Sequence, residues 1–158
     1  MSTSARVTLG VAIATAIGVS AKASAPAQEK PNFTGTWVAV SPAEAAGQEQ
    51  NVRHTATTLS IGHEAKISSH SATYKLDGSE SRNELTVHDD PIVTLSKALW
   101  DGNKVVITSA TTYPDGRKME SKETWSLDSA GHLVVEYNQT MSGQPPRSMT
   151  VVSTRKGK

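Results

Sequence analysis

The run Met119-Glu-Ser-Lys-Glu-Thr-Trp-Ser-Leu127 brings together side chains that could hold a small molecule. Alternate residues of an extended strand share a face, so Met119, Ser121, Glu123, Trp125 and Leu127 line up, apolar ends around two polar groups. Pointing into an enclosed space, Ser121 and Glu123 would be polar handles in an otherwise apolar cavity, the usual layout of a small-molecule site. The other placement leaves the sheet half closed, with Glu123 meeting water or a surface Lys; the rarity of unpaired buried Glu favours it. Tyr113 and Tyr137 fit rim or core positions more readily than ligand stacking. The candidate ligand-contacting set is Trp37, Met119, Ser121, Glu123, Trp125 and Tyr137.

Metal chemistry is the next test, since the chain has five histidines. His63 and His70 are separated by an odd offset, which on one continuous strand puts them on opposite faces. They could meet only across a turn. His88-Asp89-Asp90 is a local polar cluster, but Asp-Asp-Pro is ordinary turn chemistry. His54 and His132 fall in a loop and at a strand start. No H-x-E-x-H or H-E-x-x-H spacing occurs, so no metal site is expected. The chain has no Cys, no G-x-S-x-G elbow and no phosphate-binding glycine loop. Neither catalytic residues nor a cofactor are expected. Asn32-Phe33-Thr34 and Asn138-Gln139-Thr140 match the glycosylation pattern by chance, given the bacterial look of the leader.

That leader is the clearest local signal. Arg6 precedes an apolar run from Val7 to Val19, and small residues follow from Ser20 to Ala27, the order of a secretory signal peptide. The run has 13 residues, against about 20 for a membrane-spanning helix. No stable span is expected after cleavage; an uncleaved anchor is the competing reading. Cutting after Ala25 would leave Pro26 first in the mature chain, where its fixed φ and missing N–H suit an extended substrate poorly. The expected cut therefore follows Ala27, with Ala23 as second choice. Residues 28–158 form the mature chain, exported to the periplasm or the medium.

Without Cys, neither lipid attachment of the bacterial lipoprotein kind nor disulfide support is available. Removing Arg6 and Lys22 from the 16 basic residues leaves 14 against 15 acidic ones, a net charge of −1 for the mature chain. A near-neutral domain with interspersed charge does not point to nucleic acid or to an acidic membrane surface. The basic end, Arg155-Lys156-Gly157-Lys158, reads as solvated.

The elements that must position these groups are strands. Phe33–Val40 alternates and is rich in β-formers, with Phe33, Gly35, Trp37 and Ala39 on one face. Ser41-Pro42-Ala43-Glu44 has the form of a capping box, which predicts one or two helical turns near 42–47 in a loop running to about Ala56. Thr57–Gly62 and Ala65–Ser69 read as one pair, and Ala72–Leu76 and Arg82–Val87 follow on either side of Asp77-Gly78. His88 to Pro91 interrupts the chain before Ile92–Trp100. Asp101-Gly102 then makes the best hairpin turn, leading into Lys104–Tyr113. Lys118–Leu127, His132–Met141 and Arg147–Thr154 complete the set. No stretch has room for a crossover helix, so parallel pairing is not expected.

So many consecutive antiparallel strands must hide their edges, and closure into a barrel or strongly curved half-barrel does this. A flat sandwich is the competing arrangement. Asn32-Phe-Thr-Gly-Thr-Trp37 resembles the G-x-W opening of the calycins: lipocalins, fatty-acid-binding proteins and their bacterial lipocalin-like relatives. With Leu76-Asp-Gly78, Leu99-Trp-Asp-Gly102, Glu123-Thr-Trp-Ser-Leu127 and a final basic strand, the chain is similar to small exported bacterial proteins of that kind from about Pro31 to Lys156. The resemblance implies an all-β meander of about 8–10 strands, closed or nearly closed into a calycin-like barrel. It also implies that Trp37 packs across the closed end under Arg155 or Lys156. The disulfide and C-terminal helix of true lipocalins, and the helical lid of fatty-acid-binding proteins, are absent from the pattern.

The leading expectation is a non-enzymatic exported protein that binds a small, partly apolar molecule in the barrel mouth. A pocket below a few hundred Å³ would count against it. The alternative is an envelope structural or protein-interaction module using a sheet face or an uncovered edge.

Overall fold

The computed structural model describes residues 29–64, 69–87 and 90–157, so the leader and the His88-Asp89 pair lie outside the described residues. Ten antiparallel strands follow one another: β1 (Gly35–Ser41), β2 (Glu49–His54), β3 (Thr58–Glu64), β4 (Ser69–Lys75), β5 (Ser81–Val87), β6 (Asp90–Asp101), β7 (Lys104–Thr112), β8 (Lys118–Leu127), β9 (Leu133–Met141) and β10 (Arg147–Arg155). The sheet order is β4-β3-β2-β1-β10-β9-β8-β7-β6-β5, so the last strand pairs with the first and the meander curls into a nearly closed barrel. No helix long and apolar enough to cross a membrane occurs among the described residues.

Hairpin chemistry drives the meander. Asp101 pairs with Lys104, which leaves Gly102-Asn103 as a two-residue loop one position later than the Asp-Gly pattern suggests. Gly102 takes a positive φ of 59° there, as the turns that match strand twist require. At the β8–β9 turn the Asp128 carboxylate accepts from the N–H of Ala130 and of His132 (2.9 and 2.8 Å).

The two outermost strands, β4 and β5, meet without a backbone ladder among the described residues. Side chains close the seam instead. Thr73 N–H donates to Asn83 Oδ1 (2.8 Å), and Asn83 Nδ2 donates back to the Thr73 carbonyl (3.2 Å). Two residues further along β4, Lys75 N–H donates to Ser81 Oγ (2.9 Å). A bridge between Asp77 and Leu99, and a bond from Gly78 N–H to the Ala98 carbonyl (3.0 Å), extend the seam toward the closed end.

Apolar residues fill that end. Phe33, Trp37, Leu59, Val105, Trp125 and Leu133 are buried there, each bringing roughly 1.5–3 kcal/mol of transfer free energy. Phe33 stacks on Trp100 and meets Trp125 edge-on, with centroids 6.1 and 6.2 Å apart. Trp37 donates its Nε1–H to the Phe33 carbonyl (2.8 Å). The Arg155 guanidinium covers Trp37, 4.4 Å from its ring centre.

Three expected elements differ. The stretch expected to remain in the loop to Ala56 contains β2, because Gln50, Val52 and His54 alternate inward while the backbone pairs with both β1 and β3. The strand expected at 72–76 begins earlier, as β4 in full register with β3, and most of the segment expected at 65–69 lies outside the described residues. The capping-box segment makes turns and no α-helix: Ala45, Ala46 and Gln48 bond back three residues, to Pro42, Ala43 and Ala45. Ser41 is taken up by β1, which removes it from the N-cap position.

Candidate functional site

Strand register places one inward-facing residue from each of six strands in a single row. Ser81 pairs with Ser96, Ser96 with Ser109, Ser109 with Ser121, Ser121 with Gln139, and Gln139 with Arg147. A groove of about 600 Å³ runs along this row, but it is bordered mostly by the exposed side chains that alternate with the row, such as Leu95, Lys97, Ala110 and Glu120, and by none of its inward neighbours Ile107, Met119, Glu123 and Tyr137, so it lies on the outer face of the sheet. Neighbours on either side of the row, such as Thr108 and Lys122, border it too. Burial falls along the row, from buried Ser81 and Ser96 to exposed Gln139 and Arg147.

The hydroxyls are partly paired with one another. Ser96 Oγ and Ser109 Oγ are 2.8 Å apart, and one row toward the open end Thr94 and Thr111 pair at 2.9 Å. Serine hydroxyls each keep further acceptor capacity for a guest or for water.

One row toward the closed end lies an acid. Glu123 pairs across the ladder with Tyr137, and its Oε2 accepts the Trp125 Nε1–H (2.9 Å). The side chain keeps a minority of its surface open yet is enclosed on most sides by protein, and that burial holds its carboxyl above the usual range. Burial also pushes the Tyr74 and Tyr137 phenols up, and the neighbouring Glu123 charge adds to the rise at both. Glu123, Tyr74 and Tyr137 thus form one electrostatic cluster in mid-barrel.

A second cavity of about 230 Å³ lies beyond Tyr137, bordered by Gln50, His63, Met149 and Ser153 and by the β1–β2 loop. His63 and His70 are paired in the β3–β4 ladder, and their rings stack at 4.8 Å. Burial, and then the neighbouring His70, hold His63 below its ordinary 6.5. The two histidines do meet across the turn, as their offset required. Among the described residues no group of three or more His, Asp or Glu is placed to hold a metal ion.

The six residues singled out in the sequence fall at different depths. Ser121 borders the outer groove and Tyr137 the small cavity. Glu123 lines neither, and it lies on the inward face, not on the surface where the rarity of buried Glu put it. Met119 lies nearer the open end, its Sδ 3.8 Å from the Tyr113 hydroxyl. Trp37 and Trp125 are buried in the closed end. The row of Ser81, Ser96, Ser109, Gln139 and Arg147 was not anticipated, nor was Tyr74. Counting outward from the β6–β7 hairpin turn would have paired Ser96 with Ser109.

Fold and site together define a ten-stranded antiparallel barrel, nearly closed and packed with apolar side chains at one end. No protein-family model matches the chain, and no curated protein matches it significantly.

Proposed function

We propose that this is an exported, non-enzymatic protein of the lipocalin-like class that binds a small, partly apolar molecule in the barrel mouth. The cavity of about 230 Å³ that Gln50, His63, Tyr137, Met149 and Ser153 border on the inward face is the observation that carries this reading. It is smaller than the roughly 300–1,000 Å³ typical of small-molecule sites, so the guest is a small one. Its border combines the polar Gln50, His63 and Tyr137 with the apolar Met149 and Val151, so a guest with both polar and apolar parts fits it. Support for the class comes from Phe33-x-Gly35-x-Trp37, with Trp37 buried at the closed end beneath Arg155. The leader supports export to the periplasm or the medium. Against a surface module, the two terminal strands of the sheet face each other across the Asn83 seam and do not offer a free edge there.

Native mass spectrometry of the protein purified from its own host tests the reading. A small mass retained under native conditions and lost on denaturation supports it; a bare chain under the same conditions contradicts it.

A further inference from the structure

The binding function proposed above leaves the chemistry of the guest open, and the unpaired polar groups of the small cavity narrow it. We propose that the guest is a small neutral molecule with a hydrogen-bond donor beside an acceptor, an amide-type edge, and that the Gln50 carboxamide pairs with it. This deepens the proposed function and rests on it.

The hollow has a local cause. His63 of β3, Gln50 of β2, Ala39 of β1, Ser153 of β10 and Tyr137 of β9 come from five strands that are neighbours in the sheet, and all five border the cavity of about 230 Å³. Ser153 pairs with Ala39 across the ladder. Gln50 pairs with Trp37, which shares a face with Ala39 two residues on. Ala39 brings a single methyl group to the wall between these two polar side chains, so the space over it stays open. Met149 and Val151 continue the border with apolar surface.

The polar groups at this hollow lack partners. Gln50 keeps only 8% of its surface exposed, and Ser153 only 2%. Among the described residues no hydrogen bond ties either side chain to the rest of the protein, yet no unpaired polar atom there is sealed off from a water-sized molecule. Their free donors and acceptors therefore open on the cavity that both residues border. An enclosed carboxamide without a partner is costly, and a guest that pairs with it removes the cost. The carboxamide carries N–H and C=O side by side, so an amide edge meets it through two hydrogen bonds and a ketone through one. The Ser153 hydroxyl can donate or accept beside it.

Charge disfavours ionic guests. Burial, then the neighbouring Glu123 and Tyr74, push the Tyr137 phenol up, so it stays neutral. Burial, then His70, hold His63 below its ordinary 6.5, so it too is uncharged at neutral pH. Neither offers an anion a counter-charge. Of the carboxylates at the border, Glu49 is already held by Lys156 at 2.7 Å, and Glu44 is exposed on the β1–β2 loop, where water weakens any pairing with a cation.

Four probes of one shape separate the possibilities: benzamide, acetophenone, benzoate and benzamidinium, each titrated into the purified protein and followed by ¹H–¹⁵N NMR. Benzamide is expected to bind about tenfold tighter than acetophenone, the worth of one or two net hydrogen bonds, and tighter than either ion. It is also expected to move the side-chain NH₂ signals of Gln50 and the backbone amide of Ser153, a readout that needs no variant. Gln50→Met keeps the length of the side chain and removes the carboxamide. That variant is expected to erase the amide's advantage, leave acetophenone unchanged, and unfold at a urea midpoint no lower than the parent's. Equal affinity for benzamide and acetophenone, tighter binding of either ion, or an amide advantage that survives Gln50→Met overturns the amide pairing while leaving cavity binding intact. Benzamide that moves only signals away from the cavity border overturns it as well. Absence of binding by all four overturns both.

Discussion

The guanidinium of Arg155 lies 4.4 Å from the ring centre of Trp37, joining the final strand to the first across the closed end of the barrel. The same guanidinium donates to the Thr34 carbonyl, and a Cβ added at Gly35 would sit 2.5 Å from its Nη1. Glycine at 35 is thus what lets the side chain lie flat over the indole.

Arg155→Ala is expected to cost about 1 kcal/mol, the scale of an exposed cation–π contact. Trp37→Ala, which empties a buried site, is expected to cost about 3–5 kcal/mol. Gly35→Ala should fall between them by displacing Arg155. Urea unfolding of the three variants checks the order; an Arg155→Ala loss as large as that of Trp37→Ala would contradict it.

The seam offers a separate test. Asn83 bonds both backbone groups of Thr73, so Asn83→Ala leaves a donor and an acceptor of β4 without partners. A loss of about 1–3 kcal/mol is expected, with faster hydrogen exchange at the Thr73 amide than at amides of β8. Unchanged protection at Thr73 would show that the strands close by other means.

Ser96 and Ser109 bond to each other, and Ser96 is buried. Removing one hydroxyl strands the other, whereas removing both leaves nothing unpaired. Ser96→Ala and Ser109→Ala are each expected to cost about 1 kcal/mol, and the double variant less than the two together. Strict additivity in thermal or chemical unfolding would count against a paired arrangement.

Stability should also depend on pH through Glu123. Burial raises its folded-state carboxyl above the ordinary 4.5, so the folded protein holds this proton to higher pH than the unfolded chain does. The contribution is complete below 4.5 and is lost as pH rises through the folded value. Without ligand, Glu123→Gln removes that dependence, and the variant is expected to gain on the parent as pH rises. His63 acts oppositely: its lowered value contributes above 6.5, and that contribution fades as pH falls below 6.5. Paired urea titrations at several pH values test this; a parent-minus-variant difference that stays flat would contradict the buried placement of Glu123.

Much of this architecture is readable from hairpin chemistry, and the misses have physical causes. Asp101-Gly102 between two β-rich runs locates a hairpin because twist-compatible loops need positive φ. By contrast, β2 holds a single β-branched residue, Val52, among Glu, Gln, Asn, Arg and His. Pairing on both sides makes it a strand, and that information lies in β1 and β3. The serine row is hidden for a related reason. Ser81, Ser96, Ser109 and Ser121 have no meaningful spacing in the chain until three ladder registers align them. Glu123 was legible as a polar group between apolar ones, and its depth only once the sheet curls inward.

Lumen occupancy is the central claim, and native mass spectrometry of the protein and of Ser121→Leu, purified in parallel from the same host, tests it most directly. Ser121 shares the inward face of β8 with the buried Trp125, and leucine there fills part of the lumen while leaving the outer surface unchanged. The binding account predicts a retained small mass on the unaltered protein that is absent or strongly reduced on Ser121→Leu. A bare unaltered protein, or equal retention by both, would contradict it.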